Sequence, residues 1–339
     1  MNNLKNILYS IWGFVPLKVV SMTIKCGFCD YLSINQQATK SDLLKKFNWQ
    51  ERPFDRIADL LVDLALVQFS ENGVRLTHIS RKWLVKSSKN YIGDFIERAN
   101  ELSKAYDNII PMMETDQPNS EMHESTINAF GKDSIATSVF GKSMDAMTKE
   151  FMQDATSKID FENINNVLDI GAGLGTISCF LSNLYPEKEF TILELQGVAD
   201  LSKQYVAENA NNQTKIKVIA SDWRNIKQHV NNSSFDLIIL SQILHEEKKE
   251  NSQKLIKICS DLLVDGGKLC VIGFLNNFGK CSYSILSHIF SLNMLFEMGS
   301  DNPNINEITE LAKQNNVVFD KDYYLSAGRM LWLGHKQQI

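Results

Sequence analysis

The sequence predicts an α/β protein in which a doubly wound, mainly parallel sheet follows a mostly helical N-terminal region. Three observations carry this. From residue 165 onward, short branched-apolar runs alternate with stretches of helical periodicity, the pattern of strand–helix crossovers. Before residue 105 helical patterns recur and no parallel-strand run is evident. Where the alternation begins, Val167-Leu168-Asp169-Ile170 runs into Gly171, Gly173 and Gly175, and Ile177, Leu181 and Leu184 then recur on one helical face. That is strand, tight turn and helix. Glycines let the backbone turn sharply and let a ligand approach the N–H groups at a helix start.

The elements follow in order. Helical patterns cover 4–32, 40–47, 53–67, 77–85 and 91–105. Val67-Gln68-Phe69 and Val74-Arg75-Leu76 flank Glu71-Asn72-Gly73, which predicts a short hairpin with an Asn-Gly turn. Helices followed by a small hairpin describe a winged helix. Its candidate recognition helix, 50–64, sets Glu51, Asp55, Asp59 and Asp63 against only Arg52 and Arg56. Phosphate neutralisation drives DNA affinity, so an acidic helix argues for packing or dimerisation rather than nucleic-acid binding. Residues 115–125 are polar and turn-rich, which predicts a surface loop with His123 solvated. A helix is expected over 135–158, with Val139, Phe140, Met144, Met147 and Phe151 on one stripe. Strands are expected at 166–170, 190–194, 215–220, 236–240 and 268–273, and helices at 176–184, 198–209 and 249–264. Helical stretches at 282–298 and 305–314 precede a closing antiparallel pair, Val317 to Phe319 and Arg329 to Gly334. The chain therefore divides into 1–105, helical and winged-helix-like; 106–160, linker helices contributing to a substrate pocket; and 161–339, a Rossmann-like catalytic domain.

Composition bounds the function. The 339 residues, 44% hydrophobic and 22% charged, suit a soluble globular protein with room for two cores. A net charge of −5 gives no footprint for nucleic acid or an acidic membrane. The apolar stretch from Ile7 to Leu17 is interrupted by Pro16 and followed by Lys18. It reads as an amphipathic or interface helix, shorter than a membrane span and without a leader's cleavage site. Ile7, Ile11, Phe14 and Val15 are hard to bury on one chain, so a homodimer is expected. Cys26 and Cys29 have redox-motif spacing but sit in a helical pattern with no second pair or nearby His, so no metal is expected. Free thiols fit a reducing cytoplasm.

The glycine turn selects a ligand. Its G-x-G-x-G spacing has Thr176 where a dinucleotide turn has its third glycine, and it carries no P-loop Lys. Asp169 would repel a pyrophosphate and attract an ammonium or sulfonium group. Glu194 ends the next strand, where a carboxylate suits a ribose diol. An adenosyl ligand without phosphates, S-adenosylmethionine, is thereby favoured over NAD. After the third strand, Asp222 could accept from an adenine amino group and Trp223 could stack on the ring; the alternative is a turn-capping Asp and a core Trp. After the fourth strand, Ser241 leads to His245, with Glu246 and Glu247 adjacent. A nearby carboxylate raises a histidine's pKa and orients its ring, which suits a general base; the alternative is an ordinary surface histidine beside acids.

These residues resemble class I S-adenosylmethionine-dependent methyltransferases, and more narrowly the small-molecule O-methyltransferases of plants and of bacterial polyketide and pigment pathways. The resemblance covers most of the chain. Leu76-Thr77 is similar to the family's Leu-Thr after the wing of its dimerisation domain. Asp169 to Gly175 resembles its glycine motif, and Leu193-Glu194-Leu195-Gln196-Gly197-Val198 its Asp-Leu-Pro-Gly-Val segment, which implies Glu194 and Leu195 at the cofactor. Ser221-Asp222-Trp223 resembles its Gly-Asp-aromatic segment, Leu244-His245-Glu246 its Leu-His-Asp with the catalytic histidine, and Gly266-Gly267 the pair before its fifth strand. Phe140 to Met144 and the segment holding Asn293 and Met294 resemble its acceptor-pocket helices. The resemblance implies O-methylation of a small aromatic or polyketide-like hydroxyl compound, with His245 as base and Glu246 or Asp301 orienting it. Three positions differ: Glu247 stands where the family often has Trp, and Gly273 and Asn302 where it often has the acids that steer the histidine. Those differences keep two other readings open: methylation at carbon or nitrogen, and a non-methylating protein of the same fold. A cofactor-sensing DNA-binding regulator is the third, opposed by the acidic helix.

Overall fold

In the computed structural model, which describes residues 3–211, 216–274 and 284–338, the chain divides into two units, Met1–Asp107 and Asn108–Ile339. The first holds helices α1 (Asn3–Trp12), α2 (Phe14–Lys25), α3 (Phe28–Asn35), α4 (Lys40–Phe47), α5 (Glu51–Asp63), α6 (His78–Trp83) and α7 (Gly93–Ala105). Strands β1 (Val67–Ser70) and β2 (Gly73–Leu76) form an antiparallel hairpin. The helix expected over 4–32 is broken at Gly13 and again at Gly27, whose φ is +74°. The hairpin closes over Glu71 and Asn72, and Val74 also pairs with Ala38. A Cβ on Gly73 would fall 2.2 Å from the Ala38 carbonyl oxygen, so only glycine allows that approach. Phe28, Leu32, Leu43, Phe54, Leu61 and Val74 form the core of this unit.

One sequence expectation changes here. Ile7–Lys25, 19 residues with a mean hydropathy of 1.6, is long and apolar enough by length and composition to cross a membrane, whereas the sequence reading put it below that length. Its second half is docked by polar bonds, however: Lys18 Nζ donates to Asn100 Oδ1 at 2.7 Å and Ser103 Oγ at 2.8 Å, and Ser21 Oγ donates to Glu97 at 2.6 Å. Cys26 and Cys29 form no disulfide. Burial pushes the Cys29 thiol up to about 11, which disfavours the thiolate that redox or metal chemistry needs.

The second unit begins with α8 (Ile110–Thr115), α9 (Ser120–Ile127) and α10 (Ser134–Ser157). The loop expected over 115–125 is mostly helical. Asn119 caps α9 by accepting the Met122 N–H at 3.1 Å, and His123 is half-buried with Nδ1 3.0 Å from the Glu297 carbonyl oxygen. An adequate cap let a polar sequence helix, and packing then took its histidine out of water.

Strands β3 (Asn166–Ile170), β4 (Glu189–Glu194), β5 (Ile216–Ala220), β6 (Phe235–Ser241), β7 (Leu263–Gly273), β8 (Val317–Tyr324) and β9 (Met330–Lys336) form one sheet in the order β5-β4-β3-β6-β7-β9-β8. The first five are parallel; β9 is antiparallel to both β7 and β8. Between them run α11 (Thr176–Leu184), α12 (Gln196–Asn209), α13 (Lys249–Leu262), α14 (Ser284–Met298) and α15 (Ile305–Gln314). Residues 215, 282 and 283 of the expected elements lie outside the described residues.

Alternation along each strand supplies both faces of the sheet with apolar side chains. Leu168, Ile170, Ile238, Leu240 and Leu269 pack toward α13 and α15, whereas Val167, Leu237, Ile239 and Cys270 pack toward α10, α11 and α12. Strand order reverses between β3 and β6, so a crevice opens where their carboxyl ends diverge.

Candidate active site

The glycine turn forms one wall of that crevice. Gly171, Gly173 and Gly175 have φ of +67°, +58° and +85°, a region that L side chains avoid. A Cβ on Gly171 would meet Ile243 Cδ1 at 2.7 Å and one on Gly175 would meet Ile192 Cδ1 at 2.5 Å, so these two glycines are required by packing. Gly173 is different: a Cβ there would meet nothing within 4 Å. Its backbone borders open space, as a ligand cradle does.

Glu194 reaches back from the end of β4 to hold this turn. Its Oε1 accepts the Gly173 N–H at 2.7 Å and its Oε2 the Leu195 N–H at 2.8 Å, which leaves further lone pairs free for donors such as ribose hydroxyls. The Leu195 side chain is exposed. Asp169 lies beneath the turn rather than at its rim, 1% exposed. Ser178 Oγ donates to its Oδ2 at 2.8 Å, and its buried Oδ1 has no partner. Desolvation pushes Asp169 and Glu194 each up to about 7, the latter against its two N–H bonds.

The other wall follows β6. Ser241 ends the strand half-buried, and Gln242 takes φ +62° with a buried, unpartnered Nε2. A non-glycine residue in that conformation marks a spot where local strain is held by the surroundings. His245 is 6% exposed, and its ring stands edge-on to Phe290 with centroids 4.9 Å apart. Phe290 in turn lies 4.3 Å from Phe274. Contrary to the expectation of a carboxylate partner, His245 makes no hydrogen bond or ion pair among the described residues. Glu246 does not bond to it, and Asp301 is exposed and accepts the Ser291 hydroxyl. Burial and then the Arg329 guanidinium hold the imidazole down at about 3, the reverse of the expected rise. Glu246 is pushed up to about 8 by burial and by the charges of Glu194 and Glu247.

Asp222 and Trp223 are both held by partners within the chain. Asp222 Oδ1 accepts the Arg224 N–H at 2.8 Å, capping a short 3-10 helix, and its carboxylate pairs with the Arg224 guanidinium at 2.9 Å. Trp223 is 6% exposed, with Arg224 4.4 Å from its ring centre and its Nε1 donating to Glu247 at 2.7 Å. Arg224 also pairs with Glu247 at 2.7 Å. Spacing alone could not reveal this because Glu247 lies 24 residues from Trp223 and meets it only through the fold.

Phe140 and Met144 lie half-buried on α10, with Phe140 edge-on to Phe130 at 5.5 Å. Asn293 and Met294 lie half-buried on α14, where Asn293 Nδ2 donates to the buried Glu297 at 2.6 Å. Glu297 also accepts from Thr126 Oγ1 at 2.8 Å. Asp145, another residue that sequence reasoning passed over, accepts from Thr176 Oγ1 and Tyr205 Oη, both at 2.7 Å, and pairs with Lys149 at 2.6 Å. It ties α10 to the helix that opens at the glycine turn.

The family described as an O-methyltransferase domain matches residues 114–316. The chain belongs to that family. It is 21% identical over 284 residues to a 3-hydroxy-5-methyl-1-naphthoate 3-O-methyltransferase of Streptomyces sahachiroi, covering 84% of this chain and 80% of the relative. Against myricetin 3'/5'-O-methyltransferase 1 of Solanum habrochaites the identity is 26% over 200 residues, 56% of this chain and 50% of the relative. Human N-acetylserotonin methyltransferase, solved in complex with S-adenosylmethionine, superposes with a TM-score of 0.81 at 16% identity, over 100% of this chain and 99% of that one. This O-methyltransferase accordingly has the Rossmann-like fold, and its cofactor is S-adenosylmethionine.

The residues present fit that cofactor. Asp169, Glu194 and Glu246 are desolvated acids with no cation bonded to them among the described residues, and a ligand bearing sulfonium and ammonium charges would relieve all three. The open face at Gly173 gives it backbone to lie on, and no cationic side chain stands in the turn for a phosphate.

Proposed function

We propose that this O-methyltransferase methylates the hydroxyl of a small aromatic or polyketide-like molecule, with His245 as general base. The observation that carries the reading is a buried imidazole at the carboxyl end of β6, edge-on to Phe290, which packs in turn on Phe274. The His245 ring makes no hydrogen bond among the described residues, so a nitrogen is left to meet an acceptor hydroxyl and take its proton. Phe140, Met144, Asn293 and Met294 would shape the acceptor's surroundings, and Glu194, Leu195 and the glycine turn would hold the cofactor. When bound, S-adenosylmethionine supplies an electrophilic methyl group. The chain's own contribution is alignment of the hydroxyl, exclusion of water and proton acceptance at His245. The two named O-methyltransferase relatives support this acceptor class.

The test is turnover of methyl-labelled cofactor with a panel of phenols and polyketide-like hydroxyl compounds, followed by NMR of the product. A label on oxygen supports the reading; a label only on carbon or nitrogen, or none, rejects it.

We further infer that residues 1–107 form a winged-helix module that serves a cytoplasmic homodimer. Leu4, Ile7, Leu8, Ile11, Trp12 and Phe14 are each roughly half exposed or more, an apolar face that a two-fold partner would cover. Light scattering that finds only monomers would reject the dimer. Lys40 of α4 pairs with Glu51 and Asp55 of α5 at 2.7 Å each, which supports packing over DNA contact; a shift assay with duplex DNA checks it.

A further inference from the structure

Arg329 is 9% exposed, and among the described residues no side chain neutralises it. Its guanidinium lies 4.9 Å from the ring centre of Phe151 and 4.9 Å from that of Phe274. Rings at those positions stabilise a cation through its faces. They do nothing for the in-plane N–H donors, and the buried Nε has no hydrogen-bond partner. Among the described residues no carboxylate pairs with Arg329, and the stretches outside them, 1–2, 212–215, 275–283 and 339, contain no Asp or Glu. A desolvated guanidinium left without an acceptor is costly, and such a group in a crevice marks the place of an anion.

Its place in the sheet says whose anion. Gly273 pairs with Met330, so Arg329 stands opposite Phe274 at the carboxyl end of β7. From Phe274 the aromatic path runs through Phe290 to His245. The turn and Glu194 belong to β3 and β4, on the far side of β6. With strands spaced roughly 4.8 Å apart, Arg329 is set about three strands from the acids that suit the cationic cofactor. Asp169 and Glu194 thus lie on one side of β6 and the Arg329 guanidinium on the other.

We propose that Arg329 is an acceptor-binding residue, and that the acceptor is an aromatic hydroxyl compound bearing a carboxylate, which takes a bidentate pair with the guanidinium while its ring lies along Phe274 and Phe290. This rests on the reading of His245 as the residue facing the reacting hydroxyl. A fork-shaped cation between two rings matches the planar, two-oxygen geometry of a carboxylate attached to an aromatic ring.

The experiment compares a hydroxynaphthoate with the corresponding naphthol, binding each by titration to the full-length protein saturated with S-adenosylhomocysteine. Wild type binds the acid at least about tenfold more tightly than the phenol, the effect of one charge-assisted pair. Arg329→Met abolishes that preference and leaves naphthol binding unchanged, while Arg329→Lys keeps part of it. S-adenosylhomocysteine affinity is the same in all three, and thermal unfolding confirms that each is folded. Equal binding of the two probes by wild type, or binding of neither, overturns the proposal. Weaker S-adenosylhomocysteine binding in both variants overturns it too, since Arg329 would then serve the cofactor. Methyl transfer to the same probes is read separately. Transfer without a preference for the acid sinks the anion site and leaves the methyltransferase reading standing; acid-selective binding without transfer to oxygen does the opposite.

Discussion

The Glu194 carboxylate accepts the N–H of Gly173 at 2.7 Å, so the acid ending β4 holds the middle of the turn that follows β3. One side chain thereby shapes the turn and presents remaining lone pairs to whatever lies on it. Glu194→Ala removes both functions. Charge-assisted hydrogen bonds contribute about 1.5–3 kcal/mol, so cofactor affinity should fall roughly tenfold to a hundredfold. Isothermal titration with S-adenosylhomocysteine measures it, and an unchanged Kd would reject the ribose role.

Cofactor affinity should depend on pH in a direction set by the acids. Asp169 and Glu194 are raised to about 7 and Glu246 to about 8, so the crevice gains negative charge as pH climbs through that range. S-adenosylmethionine carries a sulfonium charge and S-adenosylhomocysteine does not. The preference for the former should therefore grow between about pH 6 and 8. A Kd ratio that stays flat over this window would contradict the assignment of these acids to the cofactor.

The same groups set a stability trend. A carboxyl raised in the folded state holds a proton that the unfolded chain has already lost, so its contribution declines as pH rises toward the folded value. His245, depressed to about 3 from 6.5, acts oppositely, its contribution being lost as pH falls below 6.5. Above about 6.5 only the acids act among these groups. The melting temperature of the ligand-free protein should fall from there to about pH 8, and S-adenosylmethionine should restore more of it at the higher pH.

His245→Ala should lower kcat by roughly tenfold or more, the low end of what a general base contributes, and leave cofactor Kd unchanged. Because the ring is already neutral well below pH 6.5, kcat at saturating cofactor should show no acid limb near that value. Turnover equal to wild type would remove His245 from the mechanism.

Gly131 and Gly197 meet backbone to backbone: a Cβ on Gly131 would lie 2.9 Å from Gly197 Cα, and one on Gly197 would lie 2.0 Å from the Gly131 carbonyl oxygen. Gly131 also has φ +107°. Gly131→Ala should cost about 1–3 kcal/mol through overpacking and strain. Since Gly131 adjoins Phe130, which packs on Phe140, KM for the acceptor should rise as well. A melting temperature unchanged from wild type would show that the two segments separate freely.

What could be read from the chain alone followed from period and local chemistry. Buried strands such as Leu237 to Leu240 are continuous apolar runs because both faces are covered, and the glycines at 171, 173 and 175 announce a turn because only they tolerate positive φ there. The crevice after β3 and the position of His245 at its edge follow from those signals, whereas the strand order was decided by the fold. His123 and the helix over 120–127 did not, because a polar surface pattern suits loop and capped helix equally until packing decides.

The sequence by itself determined the α/β architecture, the glycine turn with Glu194 behind it, and a histidine at the end of the fourth parallel strand, since each is written in a few adjacent residues. Only the tertiary structure decided that His245 is neutral and without a carboxylate, that Trp223 is anchored by Glu247, and that Arg329 stands bare between two rings. Protonation and pairing depend on desolvation and on charges brought in from distant strands, and neither is encoded by neighbours along the chain.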